Sequence, residues 1–154
     1  MDEYRQLMEQ LETAWTTLTG ADARQREVWA DSLDDLLQSA YLTQADAGRV
    51  VRWLVQWAVS DMDYAVRESA LHAVSEAGVQ YELPYTALAP LAADIDSFEP
   101  LLLEYVLCSL SATHDKRALR AGEPFLTHPD AGVREEAALA MAELRETSGR
   151  SAAP

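Results

Sequence analysis

The sequence predicts an all-α fold, and three observations carry that reading. Apolar residues recur at helical spacing in almost every segment, as in Tyr4, Leu7, Leu11, Trp15 and Leu18. No segment sustains the period-two alternation of a half-buried strand. The chain also repeats itself: DYAVRESALHAVSE, from Asp63 to Glu76, returns 67 residues later as DAGVREEAALAMAE, from Asp130 to Glu143.

Eight helices are expected. The first spans 2–18 and is stopped by Gly20; the second covers about 22–41. The third runs over about 45–59 through Val50, Val51, Leu54 and Trp57, and the fourth over about 63–77, stopped by Gly78. A fifth, about 83–93, has Pro84 near its start and is bounded by Pro90 and the DIDS turn; the sixth is about 98–112. The seventh, about 116–126, meets Pro124, which should kink or end it, and the eighth fills about 130–147. The small, polar end, 148–154, reads as a disordered tail.

Alternate helices superimpose. Moving the fourth back by 37 residues lays Val66, Ala70, Ala73, Val74 and Ala77 over Trp29, Leu33, Leu36, Leu37 and Ala40, all apolar. Moving it forward by 36 lays Val66, Ala70 and Val74 over Leu102, Val106 and Leu110. Such periods, each holding two helices, mark solenoids in which one hairpin cannot bury its apolar face until neighbours stack on it. The expectation is one domain, 1–147, an α-α superhelix of about four hairpins: 1–42, 45–78, 81–113 and 116–147. Asp63 and Asp130 are placed to cap helices, and Ala70, Ala73, Ala137 and Ala140 to let helices approach closely.

Composition narrows the function. The chain of 154 residues is long enough to bury a core without disulfide or metal. Its lone Cys108 permits no internal disulfide, and a reducing compartment is the simpler assumption. The acidic opening MDEYRQLMEQLE is unlike a secretory signal, no apolar run approaches a membrane span, and a cytoplasmic location is expected. Twelve basic residues face 26 acidic ones, a net charge of −14, which opposes nucleic acid and anionic membrane and favours cationic partners. Solubility alone would also explain such a charge. The excess is largest in 1–42 (3 basic, 9 acidic) and 79–113 (0 basic, 5 acidic), so it belongs to the body of the chain.

The third and fourth helices, VVRWLVQWAVSDMDYAVRESALHAV, resemble a HEAT repeat: an apolar first helix, a short Asp-containing turn, then Val-Arg opening an Ala-rich second helix. The last hairpin, EPFLTHPDAGVREEAALAMAEL, resembles it equally, with a His-Pro-Asp turn. The resemblance covers about 45–147 and implies a fold rather than an activity. It implies that Arg67 and Arg134 bond to turn carboxylates between repeats, and that the second helix of each hairpin lines a concave face.

On those second helices, Asp31, Glu68, Glu104 and Glu135 occupy equivalent positions, an acidic ridge widened by Asp34, Glu76, Glu136 and Glu143. The neighbouring column is Asp35, His72, Cys108 and Leu139. These acidic residues with His72 form the candidate partner-binding set, though exposed helical positions are often Glu in any case. Trp53, Trp57, Tyr64 and Tyr105 read as core aromatics or as anchors, and Leu103 and Leu107 as centrally buried or open to a partner.

Catalysis finds less support. His72, His114-Asp115 and Asp130 follow the ligand order of HD-type metal phosphohydrolases, but the second upstream metal signature is missing. Cys108 lies in the most apolar helix and reads as an inert buried thiol. No phosphate-binding glycine loop or basic patch occurs, and no cofactor or metal is expected. The expected function is non-catalytic binding of another protein with a basic surface, either as an immunity or antitoxin-type inhibitor or as an adaptor. A metal-dependent hydrolase is the alternative from another class.

Overall fold

Polar caps and prolines divide the described residues into eight α-helices: α1 (Asp2–Leu18), α2 (Ala23–Gln38), α3 (Gln44–Ser60), α4 (Tyr64–Gln80), α5 (Tyr85–Ala93), α6 (Pro100–Ser111), α7 (Lys116–Gly122) and α8 (Ala131–Ala152). The computed structural model describes the backbone of residues 2–152 and the side chains of residues 2–146, and among these there is no strand. The fold is all-α, as the periodicity predicts. Where a disordered tail is expected over 148–154, the backbone instead continues α8 as far as Ala152, and 153–154 lie outside the described residues.

Local chemistry accounts for most boundaries. The carboxylates of Asp22, Asp63 and Asp130 accept from the backbone N–H groups of Gln25, Val66 and Val133 at 2.9, 3.1 and 3.0 Å. Each satisfies a donor that the first helical turn leaves open, worth ~1 kcal/mol. Pro84 immediately precedes α5, and Pro124 closes α7 at Gly122 by forcing the 3₁₀ turn Glu123–Thr127.

Three ends differ most from expectation, and the first of them is that α8 continues past 147 to Ala152. Helix α2 stops at Gln38 because Ala40 takes φ 57°, the left-handed geometry that terminates helices and that costs a residue with a Cβ ~1 kcal/mol. Helix α4 runs through Gly78 to Gln80. A Cβ on Gly78 would lie 2.7 Å from the Ala112 Cβ, so this glycine permits close approach to the end of α6 rather than ending α4.

Packing follows the alternation. Helix α2 packs on α4, α4 on α6 and α6 on α8, while α3 packs on α5 and α5 on α7. Contacts of α3 with α4, α5 with α6 and α7 with α8 join the two layers. Leu33, Leu37, Val66, Ala70, Val74, Leu102, Val106, Leu110, Val133 and Ala137 are buried between them. Ala73 and Ala140 are buried too, and so are Leu103 and Leu107, because α6 has neighbours on both sides.

Helix α1 joins through long side chains. The Trp15 ring lies 4.9 Å from Trp57, 5.6 Å from Trp53 and 6.0 Å from Trp29, so all four tryptophans form one cluster. This uses Trp53 and Trp57 as core rather than as anchors. The Tyr4 hydroxyl donates to Asp46 Oδ2 at 2.6 Å and accepts from the Thr43 N–H at 3.0 Å.

Arginines link successive hairpins. Arg26 Nε and Nη2 donate to the Asp61 carboxylate at 2.7 and 3.2 Å, and Arg67 Nη1 lies 3.4 Å from Glu99 Oε2. Arg67 therefore reaches a carboxylate at the start of the next even helix. Arg134, in the last hairpin, instead donates to the carbonyls of His128 and Pro129 at 2.8 Å.

Candidate functional site

Helices α2, α4, α6 and α8 form one layer, and three carboxylates act on half-buried Tyr105 of α6, with a fourth, Glu136, beside Cys108 and Glu104. Burial first, then the charges of Glu68 and Glu104, with smaller contributions from Tyr64 and Glu76, raise the Tyr105 phenol above its ordinary range. One turn on, burial and then the charges of Glu136 and Glu76 raise the Cys108 thiol. Burial, and after it the charge of Glu104, raises Glu136 itself. Glu68, Glu76, Glu104 and Glu136 thus act on shared groups.

The helices hold these groups in place. Glu104 Oε1 would stand 3.0 Å from a Cβ on Gly132, so its carboxylate lies over the first turn of α8, where a helix N-terminus favours negative charge. At the other end, Asp34 is 8% exposed and accepts from Gln38 Nε2 at 2.9 Å and from His72 Nδ1 at 2.8 Å. The His72 Nε2 lies 3.8 Å from Glu76 Oε1, and its ring meets Tyr105 edge-on at 5.7 Å. Asp34, His72 and Tyr105 form a continuous path across α2, α4 and α6.

The structure therefore brings together Glu68, His72, Glu76, Glu104 and Glu136 of the predicted set. Asp34 differs: it is a buried, fully bonded carboxylate rather than an open one. Asp31, Asp35 and Glu135 are exposed, and no side-chain hydrogen bond or ion pair holds their carboxylates among the described residues. Glu143 lies 3.5 Å from His114 Nε2. Cys108 is partly rather than fully buried. Val79 and Leu139, both exposed, flank the far end of the layer. The sequence gives no sign of Val79, because a helix ending at Gly78 would leave it in a turn.

Counter-charges are absent from the middle of this layer. Beyond their first turns α2 and α4 contain no Lys or Arg, α6 contains none, and α8 has none between Arg134 and Arg145. The residues of the hydrolase alternative are dispersed. His72 pairs with Asp34, His114 with Glu143, Asp115 with Arg117 at 2.9 Å, and Asp130 caps α8. Among the described residues no three His, Cys, Asp or Glu side chains are grouped to hold a metal ion, and no helix is long and apolar enough to cross a membrane.

Neither a protein-family model nor a curated protein sequence matches the chain.

Proposed function

We propose that the chain is a non-catalytic, HEAT-like binding module that captures another protein bearing a basic surface. One observation supports this above others: Glu68, Glu76, Glu104 and Glu136 share one electrostatic neighbourhood on the even-helix layer, and no Lys or Arg in the middle of that layer neutralises them. Like charges held together raise the cost of leaving them unpaired, and a cationic partner relieves that cost. They also raise the rate of capture at low salt. Fast capture suits an inhibitor of the immunity or antitoxin kind, acting in the cytoplasm on a basic toxin or enzyme; an adaptor within a larger assembly would use the same surface.

The test is charge reversal. A partner that co-purifies with the wild-type chain is titrated against Glu68→Lys/Glu104→Lys at low and at moderate salt. The reading expects affinity to fall at least about tenfold and its salt dependence to flatten, with helicity unchanged. Equal affinity of the wild type and the reversed chain at low salt would remove the acidic layer from the interface.

A further inference from the structure

A shallow groove of about 410 Å³ runs between α4, α6 and α8 at the end of the layer. It exists because the residues along its floor are small: Ser75, Gly78, Ala112 and Ala140, with Cys108 midway. Gly78 and Ala112 bring the ends of α4 and α6 together and leave no side chain to fill the space above. The rims are the reverse. Val79 is 75% exposed and Leu139 67% exposed, one on each side of the depression. Large apolar side chains left open around a concavity mark an interaction surface, because covering them removes apolar area from water.

Charge selects the occupant. Glu136 and Glu143 line the α8 side, Glu76 acts on Cys108 from α4, and among the described residues the one basic side chain lining the groove is His114, 3.5 Å from Glu143, which leaves Glu136 as the carboxylate without a cation beside it. A second copy of this chain would bring the same carboxylates against these, at a net charge of −14 per copy. A segment with both apolar and cationic side chains matches both features of the groove.

We infer that this groove receives an amphipathic segment of the basic partner, with apolar side chains seated between Val79 and Leu139 and a Lys or Arg on the Glu136 carboxylate. The inference rests on the proposed binding function and adds the chemistry of the segment that docks. Glu136 is suited to receive the cation, because burial and Glu104 disfavour its ionised form and it gains more from a partner charge than a fully hydrated carboxylate does.

The test uses the full chain and a fluorescein-labelled peptide of about four helical turns with Leu and Lys spaced along one face. A second peptide replaces each Leu by Ser, and a third replaces each Lys by Glu. The Leu/Lys peptide is expected to bind best. Val79→Ser, Leu139→Ser and Glu136→Gln should each weaken it by about tenfold, while Val28→Ser, exposed on α2, leaves it unchanged. Saturating peptide should also slow alkylation of Cys108, the sole cysteine, several-fold.

Salt-sensitive binding that ignores the groove substitutions and leaves Cys108 alkylation unchanged would overturn the groove while keeping the acidic layer as a binding surface. No binding of either Lys peptide at low salt would overturn both. Equal binding of the Glu peptide, or a dimer in sedimentation that Leu139→Ser dissolves, would assign the groove to a different occupant and overturn the inference.

Discussion

Asp34 Oδ2 stands 2.8 Å from His72 Nδ1, joining α2 to α4 across the even-helix layer. In the repeat register position 34 corresponds to Leu71 and Leu107, both fully buried. The first hairpin thus places a carboxylate where the next two place leucine. The substitution is tolerable because Gln38 bonds the other oxygen, and no buried side-chain oxygen or nitrogen among the described residues lacks a partner. The exposed edge of this pair, His72, in turn touches Glu76 and Tyr105, so stability and the candidate surface meet at one imidazole.

His72→Ala should therefore cost more than its partial exposure suggests. It leaves one Asp34 oxygen without its donor in a low-dielectric site, at about 1–3 kcal/mol. Adding Asp34→Leu to that background should recover most of the loss, since leucine is what the register accommodates. Urea denaturation of the two single variants and the double variant gives the coupling, expected to be ~1 kcal/mol. Additive effects would mean that the pair carries no energy.

A second prediction concerns how α1 is held. The Tyr4 hydroxyl bond, above the contributions of Thr43 and Arg49, lowers the Asp46 carboxyl below its ordinary value, against an opposing effect of burial. A depressed carboxylate contributes stability that is present above its unfolded value, about 3.9, and is lost as pH falls through the lower folded value. Tyr4→Phe should thus destabilise the chain by about 1 kcal/mol at neutral pH. The gap from wild type should narrow as pH falls toward the lowered Asp46 value, leaving what the Thr43 N–H bond contributes. Melting temperatures measured from neutral pH down to about pH 3 check the sign.

The features readable from sequence are those whose cause lies within a few residues. Asp63 and Asp130 cap helices that begin beside them, and Pro84 and Pro124 act on their own turns. Gly78 looks like a helix stop in the sequence because its actual reason, Ala112, lies on another helix. Asp34 looks like one more exposed acid because His72 lies 38 residues away. In the acidic column Glu68 and Glu104 do share a neighbourhood, whereas on α8 it is Glu136, not Glu135, that joins them. One residue turns a side chain by about 100° around a helix, so a column read from sequence can miss by one position at its far end.

The Gly78 contact gives a test of the stack itself. In an isolated helix Gly→Ala stabilises by ~1 kcal/mol. Here the new methyl would meet the Ala112 Cβ, which has no rotamer by which to move aside. Gly78→Ala should lower the melting temperature, and Ala112→Gly added to it should restore most of the loss by clearing the contact from the other side. A stabilised Gly78→Ala chain would mean that α4 and α6 do not approach at this point.

Glu136 allows a sharper separation of stability from binding. Its folded value is raised, first by burial and then by Glu104, so the native state binds its proton more tightly than the unfolded chain does. By linkage, stability falls as pH rises from the unfolded value, about 4.3, through the folded one, and the deficit persists at neutral pH. Glu136→Gln keeps the shape, removes the charge and should raise the melting temperature at pH 7. Below about pH 4 the two chains should melt together, because wild-type Glu136 is then neutral as well. A structural surface residue would have little reason to hold a charge that weakens the fold. A binding residue has one, since the strain is relieved when a cation arrives. The same substitution should thus stabilise the free chain and weaken the Leu/Lys peptide complex, and a Glu136→Gln chain that melts at or below the wild-type temperature at pH 7 would break that link.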